Sequence, residues 1–164
     1  MNLKLRNAKR TDMGSVLKLI KELALFEKEP EAVEITKETL LEDGFGEKPK
    51  FQVFVAELNE EIVGMALFYP RYSTWKGKAL HLEDLIVQEK HRGKGIGNAL
   101  YAKVLKYAYD FDFKRVAWEV LDWNKVAIDY YISTGAVVFD DWRVAQISEK
   151  ALESFVNKLK NESL

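Results

Sequence analysis

Hydrophobic and polar residues alternate through LKLRNA (Leu3–Ala8), the two-residue period of a half-buried strand. The period then lengthens. Val16, Leu19, Ile20 and Leu23 recur at helical spacing behind Thr11 and Asp12, either of which suits a helix N-cap. A shorter helix is predicted over Thr36–Glu42, closed by the turn signal DGFG. FQVFVAEL and IVGMALFYP are apolar runs separated by NEE, the pattern of a tight hairpin, and GKALHLEDLIV predicts a third long strand. Next come a glycine-rich loop and a helix, IGNALYAKVLKYAYDF. RVAWEVL predicts a strand, NKVAIDYYISTG a helix capped by Asn124 and ended by Gly135, and WRVAQI a final strand before a helix capped by Ser148. Antiparallel hairpins followed by strand–helix–strand units predict an α/β (α+β) fold, a mixed, mostly antiparallel sheet flanked by helices. No repeat or linker interrupts residues 1–164, so one domain is expected.

Composition narrows the class. A chain 48% hydrophobic and 12% aromatic supports a packed core. Its net charge of −1 gives no general pull toward nucleic acid or an anionic membrane, and neither is expected as a partner. No apolar run approaches the roughly 20 residues of a membrane-spanning helix, and MNLKLRNAKRTDM has no apolar centre of a signal peptide. The absence of cysteine excludes disulfides, thiolate metal ligands and a thiol nucleophile, and suits a cytoplasmic location.

The chemistry begins at VQEKHRGKGIGNAL, residues Val87 to Leu100. This loop leaves a buried strand and opens a helix, where free backbone N–H groups and the helix dipole converge on an anion. Gly93, Gly95 and Gly97 allow positive φ and close approach of a ligand, with Arg92 and Lys94 adding positive charge. The spacing fits neither GxxxxGK[ST] nor GxGxxG. It does fit R-x-x-G-x-G, as Arg92, Gly95 and Gly97.

That string resembles the pyrophosphate-binding motif of the GCN5-related N-acetyltransferase family. The order of predicted elements is similar through nearly the whole chain. IKELALFEK, LLEDGFGEKP, YSTWKGKALHLEDLIV, HRGKGIG, VLDWN and the region from Tyr131 to Ala136 further resemble its spermidine/spermine (diamine) subfamily, with YSTWKG, FEK and LDWN nearer the thialysine branch. The resemblance implies a sheet splayed at a cofactor slot and acetyl-coenzyme A as cosubstrate. It also implies direct transfer of acetyl to a small amine. The implied cofactor contacts are Leu85, Ile86, Val87, Arg92, Gly93, Lys94, Gly95, Ile96, Gly97 and Asn124.

Acetylating an alkyl ammonium requires removing its proton, because with a pKa near ~10.4 only about one molecule in a thousand is nucleophilic at pH 7. In a regular strand Glu83 and Asp84 of HLEDL point to opposite faces, so both serve one site only if a bulge intervenes. Parity does not choose between them. The resemblance implies Glu83 as the base, acting through water, and Tyr131 as the acid that protonates the departing thiolate. His81 and His91 lack metal-ligand spacing, so no catalytic metal is expected, and His91 reads as a solvated loop residue.

Between Glu22 and Glu47 nine acids face two lysines, a field that attracts a small polycation. The resemblance places Phe26, Glu27, Ser73, Trp75 and Glu83 at the acceptor channel. Ser73 and Thr74 replace the aspartate and proline of the polyamine branch, which favours a shorter diamine or an amino-acid-like amine. A homodimer is implied, although GAVVFDDWRVAQI is shorter than the corresponding dimer-forming segment. The competing expectations are a protein lysine or N-terminal acetyltransferase, and a non-catalytic coenzyme A-binding sensor.

Overall fold

In the computed structural model, residues 2–161 are described. Strands β1 (Leu3–Asn7), β2 (Gln52–Leu58), β3 (Glu61–Ser73) and β4 (Gly77–Val87) pair antiparallel in that order, and β5 (Arg115–Ala117) pairs in parallel with β4. The β2–β3 hairpin turns on Asn59 and Glu60, with φ of 49° and 69°, the doubly left-handed two-residue turn that matches strand twist.

Helix α1 (Met13–Phe26) and helix α2 (Lys37–Phe45) bury one face of the sheet. Met13, Val16, Leu19 and Leu40 pack there on Val53, Val55, Met65, Leu67 and Ile86. Helix α3 (Ile96–Asp110) follows β4 and buries Leu100, Tyr101, Val104 and Ala108. The Phe54, Phe68 and Tyr107 rings form a cluster with centroids 4.7–5.9 Å apart. Residues 62–68 of β3 are buried without a break, so this strand reads as a continuous apolar run rather than an alternation. At Gly64 a Cβ would lie 3.0 Å from the Ile86 carbonyl and 3.2 Å from Leu100, so the closeness of strand and helix favours glycine.

Two helix boundaries differ from expectation. Helix α2 is capped by Thr36, whose Oγ1 accepts from Thr39 N–H, but it runs through Gly44 to Phe45 instead of stopping at Glu42. A Cβ at Gly44 would meet the Phe51 ring at 2.9 Å, so this glycine serves packing rather than a turn. Asp12 does precede α1, yet its carboxylate makes no cap to that helix. It turns back to accept from Lys9 N–H at 2.6 Å and from the Arg6 guanidinium at 2.6 and 3.1 Å, while Arg6 also donates to Glu57. Arg6 holds the buried Asp12 carboxyl below the usual range, so this contribution to stability is present at neutral pH and lost as acid protonates the group. Asp12→Ala is expected to cost about 3 kcal/mol in urea unfolding, because it strands a half-buried arginine. A loss under about 1 kcal/mol would show that Glu57 alone satisfies Arg6.

The first compact unit ends at Leu121, and the second begins at Asp122. The second holds helix α4 (Lys125–Ser133), with the Asn124 Oδ1 cap accepting from Ala127 N–H, and helix α5 (Glu149–Asn161), capped by Ser148. Gly135, with φ of 92°, ends α4 as Ala136 N–H reaches the Tyr131 carbonyl and Gly135 N–H that of Ile132. The final strand expected from WRVAQI does not form, and β5 covers three residues of RVAWEVL. Alternation supplies a strand with a face, but only a neighbour supplies hydrogen bonds. Among the described residues, 136–147 have no ladder partner, and Val137, Phe139, Trp142, Val144 and Ile147 stay exposed.

Candidate active site

Strand β4 is paired on both edges only briefly. Its register with β5 covers Ala79 to His81, and beyond His81 the edge toward β5 carries no ladder among the described residues. Gln88 N–H donates to Val63 on β3, and the Ile86 carbonyl also points toward β3. By strand alternation, the amide groups of Leu85 and Val87 therefore face the open edge, while those of Ile86 do not. The edge thus opens past His81, with the N–H groups of Leu85 and Val87 turned to it and the Val87 carbonyl held by Arg92 Nε.

At that same point β4 carries a bulge. Leu67 pairs with Asp84 and Phe68 with Leu82, so Glu83 is an extra residue without a partner on β3. The bulge resolves the parity of HLEDL by bringing both carboxylates to one side of the sheet. Asp84 pairs with Leu67, a member of the core beneath α1 and α2. Glu83 Oε2 accepts from the Tyr69 hydroxyl at 2.8 Å and lies 3.3 Å from His81 Nε2, and Tyr69 and His81 are themselves a register pair on that side.

The two carboxyls are held differently. Donation from His81, assisted by Tyr69, outweighs desolvation and keeps Glu83 below its ordinary pKa. Both contacts use Oε2, so Oε1 is left for a ligand. Tyr69 is pushed up to about 12 by burial and by Glu83, and stays a donor. Asp84 has no donor among the described residues. Burial first, then the charges of Glu83 and Glu27, push it up to about 6. Glu27, just past the end of α1, is itself raised by partial desolvation. Three carboxyls thus share a region where a cation relieves their repulsion.

Asp84 is a candidate in the sequence, whereas His81, without metal-ligand spacing, is not. The signal for His81 was its parity with Glu83. Buried at 8% exposure, it lies with Nδ1 3.4 Å from Arg71 Nη1. His91 corrects the expectation of a solvated residue, because both its ring nitrogens are buried.

The glycine loop is built as an anion cradle. Gly93 and Gly95 have φ of 72° and 77°, and an added Cβ at either would meet nothing, so conformation rather than crowding requires glycine. Gly95 is the N-cap of α3 and supplies no side-chain cap, which leaves the helix's first N–H groups for an external anion. Ile96 is buried and anchors that end. Gly97 lies inside α3 without the positive φ of the other two, and a Cβ there would meet Val87 at 3.7 Å, an ordinary contact. Arg92 Nε donates to the Val87 carbonyl at 3.0 Å, and its guanidinium lies 5.0 Å from the Phe26 ring centroid, a cation–π contact. Lys94 Nζ donates to the Lys90 carbonyl. Glu22 of α1 accepts from Glu89 N–H and ties that helix to the loop.

Phe26 and Glu27 are fixed by the end of α1, where Lys28 takes φ of 67° and Glu29 N–H closes on Ala24. Ser73 is buried, and its Oγ accepts from the N–H groups of Trp75 and Lys76, holding the β3–β4 turn on which Trp75 is exposed. In the second unit Tyr131 is buried on α4, with its ring 5.8 Å from that of Tyr130, and Asn124 caps the same helix. Among the described residues, no group of three or more His, Asp or Glu side chains is arranged so that it could hold a metal ion, and no helix is long and apolar enough to cross a membrane.

A family profile described as "Acetyltransferase (GNAT) family" matches residues 17–135. The chain belongs to the GNAT family. It is an acetyltransferase, and members of this family use acetyl-coenzyme A. The GNAT chain is 38% identical to a thialysine N-epsilon-acetyltransferase of Bos taurus, over 94% of this chain and 97% of the relative. It is 37% identical to an L-ornithine N5-acetyltransferase of Arabidopsis thaliana, over 69% of this chain and 50% of the relative. In fold it is similar to an integron cassette protein from the mobile metagenome of V. cholerae, with a TM-score of 0.77 at 20% identity, covering 95% and 98% of the two chains. The uncapped helix end, the left-handed glycines and the open β4 edge fit a pyrophosphate joined to an extended amide-bearing arm.

Proposed function

We propose that this GNAT enzyme transfers acetyl from acetyl-coenzyme A directly to the primary amine of a small diamine or a lysine-like amino acid, thialysine-like or polyamine. The observation that carries this reading is the bulge at Glu83, which sets two carboxylates on one side of β4 where its outer edge opens. The names of the two amino-acid-acetylating relatives support an amino-acid acceptor.

The cosubstrate supplies an activated thioester carbonyl. The chain's groups do the rest. Gly93, Gly95, Ile96 and Gly97 offer backbone N–H groups to the pyrophosphate, with Arg92 and Lys94 adding charge. Leu85, Ile86 and Val87 run beside the pantetheine arm, and the outward N–H of Leu85 or Val87 polarises the thioester oxygen. Asn124 takes a cofactor contact on the family resemblance of LDWN alone. Asp84 and Glu27 hold the acceptor cation, with Phe26, Ser73 and Trp75 bounding its channel. Glu83, through a water, takes the ammonium proton, and the freed nitrogen lone pair forms the new amide as the C–S bond breaks. Tyr131 then donates its hydroxyl proton to the departing thiolate. With no cysteine in the chain, the acetyl group passes within a ternary complex. A homodimer is part of this proposal, supported by the exposed apolar side chains of residues 137–147.

The test is release of coenzyme A with thialysine, lysine, putrescine, spermidine and a histone-like peptide as acceptors. Turnover on a small amine well above the peptide supports the proposal. Turnover on the peptide alone makes the protein a protein acetyltransferase, and tight cosubstrate binding without turnover makes it a sensor. Tyr131→Phe is expected to lower kcat about tenfold, since a thiol with pKa near ~8.5 is already a fair leaving group, with little change in acetyl-coenzyme A affinity. Full activity would remove Tyr131 from the mechanism.

A further inference from the structure

Arg71 has no role in the chemistry so far. It lies two residues from Tyr69 on β3, hence on the same side of the sheet as Tyr69, His81, Glu83 and Asp84. Its one polar contact among the described residues is Nη1 to His81 Nδ1 at 3.4 Å. Arginine carries five N–H donors and no acceptor, so Nδ1 is the accepting nitrogen in this contact. One nitrogen of the guanidinium is thus engaged, and Arg71 is exposed on the face of the sheet that carries Glu83 and Asp84.

We propose that Arg71 binds the carboxylate of an amino-acid acceptor and so selects such acceptors over amines that lack one. The reading rests on Glu83 marking the reacting amine. A single imidazole ring, with contacts of 3.4 Å and 3.3 Å on either side, separates the guanidinium from the Glu83 carboxylate. That places cation and base on the order of 8 Å apart, and an extended lysine-like chain separates its terminal nitrogen from its carboxyl carbon by roughly 7–8 Å at ordinary bond lengths. The two ends of such an acceptor therefore reach the two groups at once, with its methylene or thioether chain lying over His81. A planar fork of donors matches a carboxylate, whereas a polyamine would bring an ammonium against a cation. Specificity then comes from attraction for one acceptor and repulsion of the other.

The experiment compares kcat/KM for thialysine with kcat/KM for bis(2-aminoethyl) sulfide, the same molecule without its carboxylate, in the wild type and in Arg71→Gln. The ratio is expected to favour thialysine in the wild type and to fall ten- to hundredfold in Arg71→Gln, chiefly through KM for thialysine. Arg71→Lys should recover part of the ratio, because it keeps the charge and loses the fork. An unchanged ratio, with both acceptors slowed alike, would overturn the proposal and leave Arg71 as a residue that positions His81 and Glu83. Absence of turnover on both acceptors in the wild type would instead overturn the small-amine reading of the acceptor, and this proposal with it.

Discussion

Glu83→Gln is expected to lower kcat at pH 7 by about two to three orders of magnitude, with acetyl-coenzyme A affinity unchanged. The size follows from the acceptor. An alkyl ammonium with pKa near ~10.4 exposes a free amine about once in a thousand encounters at pH 7, and a positioned base removes that handicap. Glutamine keeps the shape and an oxygen that accepts from Tyr69 and His81, so the bulge stays intact while the proton acceptor is lost. The pH profile identifies the cause. Because His81 and Tyr69 hold Glu83 below its ordinary pKa, the wild-type base remains ionised through the neutral range, and its titration does not limit the rate there. In Glu83→Gln the rate should climb about tenfold per pH unit toward the acceptor's own pKa, as the free amine replaces enzymatic deprotonation. Equal kcat in the two proteins at every pH would remove Glu83 from proton transfer.

Features of the site set by local geometry were legible in the sequence. The glycine loop is one: positive φ at Gly93 and Gly95, and a helix opening at Ile96, follow from neighbours within a few residues. The caps at Asn124 and Ser148 are equally local. The bulge at Glu83 is different. It exists because β4 and β3 differ by one residue across a hairpin, and parity within HLEDL contains no trace of that count. His81 was obscured for the same reason, since its partner Arg71 is ten residues away on the opposite strand. The missing last strand is the converse case. WRVAQI has the alternation of a strand, but pairing is decided by what lies beside it, and β5 ends at Ala117. Gly44 shows how a turn residue misleads when its lack of a side chain is used to admit Phe51.

Asp84→Asn is expected to make the protein more stable and less able to hold its acceptor. Unfolded, the carboxyl titrates near 3.8; folded, it titrates at about 6, chiefly because burial disfavours its charge and secondarily because Glu83 and Glu27 repel it. The folded state therefore binds the proton more tightly, and stability falls as pH rises from about 4 to about 6, then levels off. Above that window the charged group costs on the order of 1–3 kcal/mol, since each pKa unit is worth about 1.4 kcal/mol and partial solvent access reduces the total. The neutral amide removes this cost. Urea unfolding at pH 7 should show the variant more stable by about that amount, and at pH 4 the two proteins should differ little. The same substitution should raise KM for a cationic acceptor tenfold or more, because an unneutralised carboxylate with no donor of its own is the natural seat for an ammonium. Wild-type KM should rise in parallel as pH drops through about 6, while Asp84→Asn shows no such dependence. A carboxylate retained at a cost to the fold and useful only when a cation arrives is the trade of stability for activity that marks a binding site. If Asp84→Asn instead weakened the fold and left KM alone, the residue would be structural, and the acceptor ammonium would have to be held by Glu83 and Glu27 without it.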